Sequence, residues 1–167
     1  MLYFGYKATL GELTMRIPMK VDYGVRALME LASQYGNGQV QTSDIALKQG
    51  IPESYLEQLM AALSREGLID SRRGPKGGHS LSMPPSEITL SMVMDTLEPN
   101  SSPLDCITSP EDCMFSVSCA QQEIWKSVEQ SIHNVLSSIT LENLTQRQNY
   151  LTETGIACLV TTRITPA

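Results

Sequence analysis

The 167-residue chain is 41% hydrophobic, which is enough to build a core and excludes a globally disordered protein. No apolar run approaches the ~18 residues of a membrane span. The opening MLYFGYKATLGELT lacks the apolar core and small-residue cleavage site of a secretion signal, which points to a cytoplasmic protein. The net charge of −6 is unevenly placed: residues 15–83 carry eight Lys/Arg against seven Asp/Glu, and residues 84–167 carry three against ten. Binding to phosphates needs local cations rather than a basic protein overall, so the first half keeps that option open.

In chain order, residues 1–14 read as an extension or a misplaced start, ahead of a domain over 15–83. Val21, Val25, Leu28, Ala32 and Tyr35 recur at helical spacing and predict a first amphipathic helix, ended by Gly36 and Gly38. Thr42 or Ser43 is suited to cap a short second helix carrying Ile45, Ala46 and Leu47. Gly50 supplies a turn, and Pro52 opens a third helix whose buried face is Leu56, Leu59, Met60 and Leu63. Leu68–Ser71 and His79–Ser82 are expected as two short strands around a glycine-rich turn. Residues 84–119 form a linker that holds a short helix, Leu90–Leu97, and then a loop from Glu98 to Cys119. A long helix over Ala120–Ser138 follows, with Trp125, Val128, Ile132, Val135 and Ile139 spaced 3-4-3-4. That seam closes helix on helix, either on a second copy or on the chain's own domain, and length favours the second copy. Thr140 can cap a final helix from Leu141, which completes a unit over 120–148. The tail, 149–167, includes the apolar Ile156–Val160, to which no role is assigned.

Helix, tight turn, helix and a two-stranded wing is the order of elements that lays one helix in the major groove of DNA. The third helix carries Ser54, Glu57, Gln58 and Ala61 opposite its apolar face. Gln58 can hydrogen-bond a base edge and Ser54 a base or phosphate, whereas Glu57 can only accept and so selects cytosine N4 or rejects other bases. Tyr55 is placed to brace the helix or meet a phosphate. Thr42 and Ser43, at the start of the second helix, join the candidate DNA contacts. In the wing, Arg72, Arg73 and Lys76 stand among glycines, and arginine suits a narrow minor groove. Taken alone, RRGPKGG is a common solvated turn; directly after a helix-turn-helix pattern it reads as a DNA wing.

Residues 15–144 resemble the winged-helix regulators that include IscR, NsrR, RirA and CymR. The matching stretches are MRIPMKVDYGVRALMELA, SYLEQLMAALSREGLIDSRRGPKGGHSL, three clustered cysteines, IWKSVEQ and SITLENL. The resemblance implies a mainly α fold with a small β wing, built as a winged helix-turn-helix domain plus a long C-terminal dimerisation helix. It also implies a homodimer on double-stranded operator DNA, with Arg73 in the minor groove and Ser54, Glu57 and Gln58 reading bases.

Cys106-x6-Cys113-x5-Cys119 lies in the Pro/Ser/Asp-rich loop. Clustered thiols in a reducing compartment point to metal or redox chemistry rather than disulfides. The spacing resembles the three-thiolate motif of the iron–sulphur members, which implies a 2Fe–2S or 4Fe–4S cluster. The close-set C-x2-C pair of many zinc sites is absent. A fourth ligand is not obvious. IscR-like members carry a histidine three residues after the last cysteine, where this chain has Gln122. His133 lies about 21 Å along the helix from Cys119 at ~1.5 Å per residue. The NsrR-like members use an aspartate from the partner subunit, at a position that corresponds to Asp22. A carboxylate near the start of a helix is also favourable to the helix dipole, and Glu123 or water are further candidates. Cys158 lies far from the group, and His79, in a wing strand, reads as structural or phosphate-adjacent.

No catalytic arrangement is visible, since the chain lacks a phosphate-cradling loop, a nucleophile triad and a metalloprotease motif. The expected protein is a regulator, and more often a repressor, whose operator binding responds to iron, redox state or nitric oxide through a cluster. Two alternatives remain open at this level. One is a cofactor-free CymR-like regulator governed by thiol oxidation or a protein partner. The other is an iron–sulphur or redox protein with the winged domain as a scaffold.

Overall fold

The computed structural model describes residues 17–74, 77–99 and 118–154, with positions 107, 109, 111 and 113. Among the described residues, six helices and one two-stranded antiparallel sheet follow one another as α1 Met19–Ser33, α2 Thr42–Gln49, α3 Glu53–Arg65, β1 Ile69–Arg72, β2 Gly78–Leu81, α4 Leu90–Leu97, α5 Ala120–Ser137 and α6 Leu141–Glu153. Among the described residues no helix is long and apolar enough to cross a membrane. The N-terminal extension, Lys76, Cys106, Cys158 and the Ile156–Val160 segment lie outside the described residues.

Helix α1 is the centre of the domain and packs against α2, α3, α4, α6 and β2. Its buried face is Val21, Gly24, Ala27, Leu28 and Leu31, rotated from the expected stripe. Val25 and Ala32 flank that face half-buried, and Tyr35 lies beyond the helix end, exposed. The reason is steric, because small residues mark the contact line more closely than large ones. A Cβ on Gly24 would come within 2.3 Å of Leu97 Cδ1, so a larger residue there would force the Leu97 side chain of α4 to shift.

Helix α2 is capped at Gln41 by backbone alone, not by the Thr42 or Ser43 side chain. Ile45 and Ala46 are buried, but Leu47 is 87% exposed. Consecutive helical residues point about 100° apart, so three in a row cannot share one face. Gly50 ends α2 in the left-handed region at φ 64°, and Ile51 N donates to Ala46 O at 3.0 Å. That bond is the helix-terminating contact of a glycine C-cap, and it starts α3 at an angle to α2.

In α3 the buried positions are Leu56, Leu59, Met60 and Leu63, as the spacing predicts. The wing pairs Ile69 with Leu81, Ser71 with His79 and Arg72 with Gly78, one residue displaced from the expected strands. Ile69 and Leu81 are buried at its base. Helix α4 occupies the expected span, and Thr89 Oγ1 caps it by accepting from Met92 N at 3.4 Å.

Helix α6 joins the winged domain and continues past the expected boundary at 148 to Glu153. A reciprocal cap opens it: Asn143 N donates to Thr140 Oγ1 at 3.2 Å, and Thr140 N donates to Asn143 Oδ1 at 3.0 Å. Leu141 is fully buried, and Leu141 N to Ile88 O (2.9 Å) and Leu90 N to Ile139 O (3.0 Å) fasten this corner to α4. Helix α5 differs, because none of its residues is buried. Ile124, Trp125, Val128 and Val135 are exposed, and Ile132 and Leu136 are half-buried.

Candidate nucleic-acid interface

Burying Leu56, Leu59, Met60 and Leu63 turns the opposite side of α3 outward. Ser54, Glu57, Gln58, Ala61 and Arg65 are all exposed there. The spacing of 54, 57, 58, 61 and 65 makes this one face, polar except for an alanine that lets another surface approach. Arg65 was absent from the sequence-based set, although one more turn of the same spacing reaches it. Tyr55 lies half-buried on α3, with its ring edge-on to Tyr23 of α1 at 6.0 Å and 80°. Of its two expected roles the ring geometry serves the brace, which holds α3 to the core.

Beside that face an open groove of about 550 Å³ runs between α3, the start of α2 and the wing. Glu57, Ala61 and Arg65 form its α3 wall, and Thr42, Ser71 and His79 form the other. The hydroxyls and the imidazole are connected. His79 Nε2 is 2.9 Å from Thr42 Oγ1, and His79 Nδ1 is 2.8 Å from Ser71 Oγ. Ser71 Oγ in turn donates to Ser64 Oγ at 3.3 Å. Burial pushes the His79 pKa below its ordinary value of 6.5, because the charged ring would lose hydration. Arg72 and Arg73 are exposed at the end of β1, and Ser43 is exposed on α2. Of the expected DNA contacts, Thr42 and Glu57 line one groove, Ser54 and Gln58 are exposed with Glu57 on α3, and Ser43, Arg72 and Arg73 are exposed. On α2, by contrast, Lys48 is occupied, donating to Glu30 Oε2 at 2.5 Å.

The candidate metal ligands are elsewhere. Cys113 and Cys119 are free thiols of intermediate exposure, and Cys119 stands immediately before α5. Asp22, in the first turn of α1, accepts an ion pair from Arg26 at 2.9 Å. Arg26 also lies 5.9 Å from the Tyr23 ring centroid. Among the described residues, no three His, Cys, Asp or Glu side chains are grouped closely enough to hold a metal ion. Lys20 and Glu98 form an ion pair at 2.9 Å that joins α1 to the end of α4, where the cysteine loop begins.

Residues 17–147 match the model of a family described as Rrf2, iron-dependent transcriptional regulator. The chain is 36% identical over 141 residues to the HTH-type transcriptional regulator IscR of Photorhabdus laumondii, covering 84% of this chain and 85% of that protein. Among solved structures it is similar to IscR of T. potens, with 34% identity, a TM-score of 0.68, and 83% and 91% of the two chains covered. It is equally similar in sequence to CymR, the global cysteine regulator of B. subtilis, with 34% identity, a TM-score of 0.66, and 80% and 98% covered.

Proposed function

Since this chain belongs to the Rrf2 family of transcriptional regulators, we propose that it binds a palindromic operator as a homodimer and that an iron–sulphur cluster sets its operator affinity. The observation that carries the DNA reading is the exposed polar face of α3 beside a wing that ends in Arg72 and Arg73. Ser54 and Gln58 contact base edges in the major groove, and Glu57 accepts from cytosine or excludes other bases. Arg73 enters the minor groove; Arg72 and Lys76 meet phosphates, as do Thr42 and Ser43 at the start of α2. Helix α5 packs on its counterpart in a second copy through Trp125, Val128, Ile132 and Val135, and so sets the distance between the two reading heads.

The donor chemistry fits a cluster. Cys113 and Cys119 are free and partly accessible, and with Cys106 they supply three soft thiolates. Asp22 of a partner copy is the proposed fourth ligand, and to serve it must loosen its pair with Arg26. When bound, the cluster supplies a centre sensitive to iron supply, redox state and nitric oxide. The protein's own contribution is to tie that loop to α5 on one side and, through Glu98 and Lys20, to α1 on the other. A coupling of ~1–3 kcal/mol suffices for a switch of roughly 5- to 150-fold in operator affinity. The likeness to CymR supports a second reading, in which thiol oxidation or a protein partner is the input.

Anaerobic purification with visible absorption, iron and sulphide counts separates the two. A coloured protein with iron and sulphide supports the cluster, and Cys113→Ala then gives a colourless one. A wild-type protein that stays colourless after reconstitution with iron and sulphide sinks it in favour of the thiols or a partner. An unchanged spectrum in Asp22→Ala would remove the carboxylate ligand. Arg73→Ala is expected to lose specific operator binding, and unaltered affinity would take the wing out of the interface.

A further inference from the structure

The wing strands are four residues each, and within them only Ile69 and Leu81, at the base, are buried. A two-stranded ribbon with so little apolar contact does not fix its own orientation. Beyond the base, something polar must hold it. His79 is paired with Ser71 in the middle of the ribbon, and its backbone bonds Val40 in both directions, with Val40 N to His79 O at 2.9 Å and His79 N to Val40 O at 2.8 Å. Its ring spans the space that the backbone does not, with Thr42 of α2 on one nitrogen and Ser71 of β1 on the other. Ser71 passes the connection to Ser64 on α3. One side chain thus joins the start of α2, both wing strands and, through Ser71, the recognition helix.

We propose that His79 is a positioning residue for operator recognition: it holds the wing at a fixed angle to α3, so that the wing arginines and the α3 side chains engage their two grooves together. The inference rests on the DNA-binding reading above and adds a residue that works through its neighbours rather than on a base. The choice of histidine follows from the two hydroxyls. A neutral imidazole offers one donor and one acceptor on opposite edges of a rigid ring, and a hydroxyl rotor can meet either. Phenylalanine fills the same volume with neither group. Glutamine keeps an amide that reaches the Thr42 hydroxyl but has no second edge for Ser71.

The test begins by selecting an operator from random-sequence DNA with the wild-type dimer. Affinities are then measured for operators altered either at the positions contacted by the wing or at those under α3. His79→Phe is expected to lower operator affinity by roughly 10-fold or more, the size of losing two intramolecular hydrogen bonds. It should also flatten discrimination at the wing-read positions while leaving the α3-read bases discriminated. His79→Gln recovers part of the loss. Ser71→Ala reproduces the flattening, and combining it with His79→Phe adds little, because both break the same connection.

Wild-type affinity and discrimination in His79→Phe would overturn the inference while leaving the DNA reading intact. An equal loss at all base positions, with a lowered melting temperature, would overturn it too, by reducing His79 to a folding role. A wild-type protein that selects no sequence would remove the DNA reading itself, and the inference with it.

Discussion

The winged domain and α5 use the same apolar spacing to opposite effect. In α1 and α3, residues three and four apart meet neighbours from the same chain, and Leu28, Leu56 and Leu63 are completely covered. In α5 the 3-4 stripe runs through eighteen residues of which none is buried, and Trp125, Val128 and Val135 stay open. Its C-terminal end is tied to α4, where Ser137 Oγ donates to the buried Ser91 Oγ at 2.9 Å. Periodicity reports that a helix has an apolar face; what covers the face depends on where the chain leads next. The turn after α5 returns α6 to α1, and among the described residues nothing buries the stripe.

The sharpest way to break this comparison is to charge the stripe. Val128→Glu with Val135→Glu is expected to give a monomer in sedimentation whose winged domain still melts cooperatively. Losing one of two linked heads should weaken operator binding by about 10²- to 10⁴-fold. A variant that keeps the wild-type mass and affinity would mean that α5 is not the seam. Leu56→Ala tests the other region. It removes a fully covered side chain from α3 and is expected to lower the unfolding free energy by ~2–5 kcal/mol in a denaturant titration. A loss much smaller than that would mean that α3 is held by something other than its apolar face.

How much could be read in advance follows the same division. The α3 face, the α4 span and the Thr140 cap were legible because each is local: an apolar period, a proline or glycine boundary, a hydroxyl before a helix. The rotation of α1 was not, since Gly24 and Ala27 carry almost no hydrophobic signal, yet both are buried and Gly24 faces Leu97 and Val93 of α4. Leu47 misled for the converse reason, being large and apolar but on the outer side of α2. On the candidate site, the exposed polar residues of α3 and the wing arginines were visible as a pattern. The hydroxyl–imidazole connection was not, because Thr42, Ser64, Ser71 and His79 come together only when α2, α3 and the wing pack.

That connection gives the smallest expected effect and a finer probe of the comparison, because it asks whether the outer wing behaves as part of the domain. Burial holds the folded His79 pKa below the 6.5 of an unfolded chain. Between those two values the unfolded state binds the extra proton, so stability rises with pH in that window. The contribution of the neutral ring is complete above pH 6.5 and is lost as pH falls through the folded value. Glu57 and Arg65 share the groove, and the hydroxyl partners of the ring, Thr42 and Ser71, do not titrate in this range. Denaturant midpoints followed from pH 8 to pH 5 should therefore fall further for wild type than for His79→Gln, with the divergence opening below 6.5. Parallel curves would mean that the imidazole reaches solvent freely in the folded protein, and the outer wing would then join α5 as a region the chain leaves open.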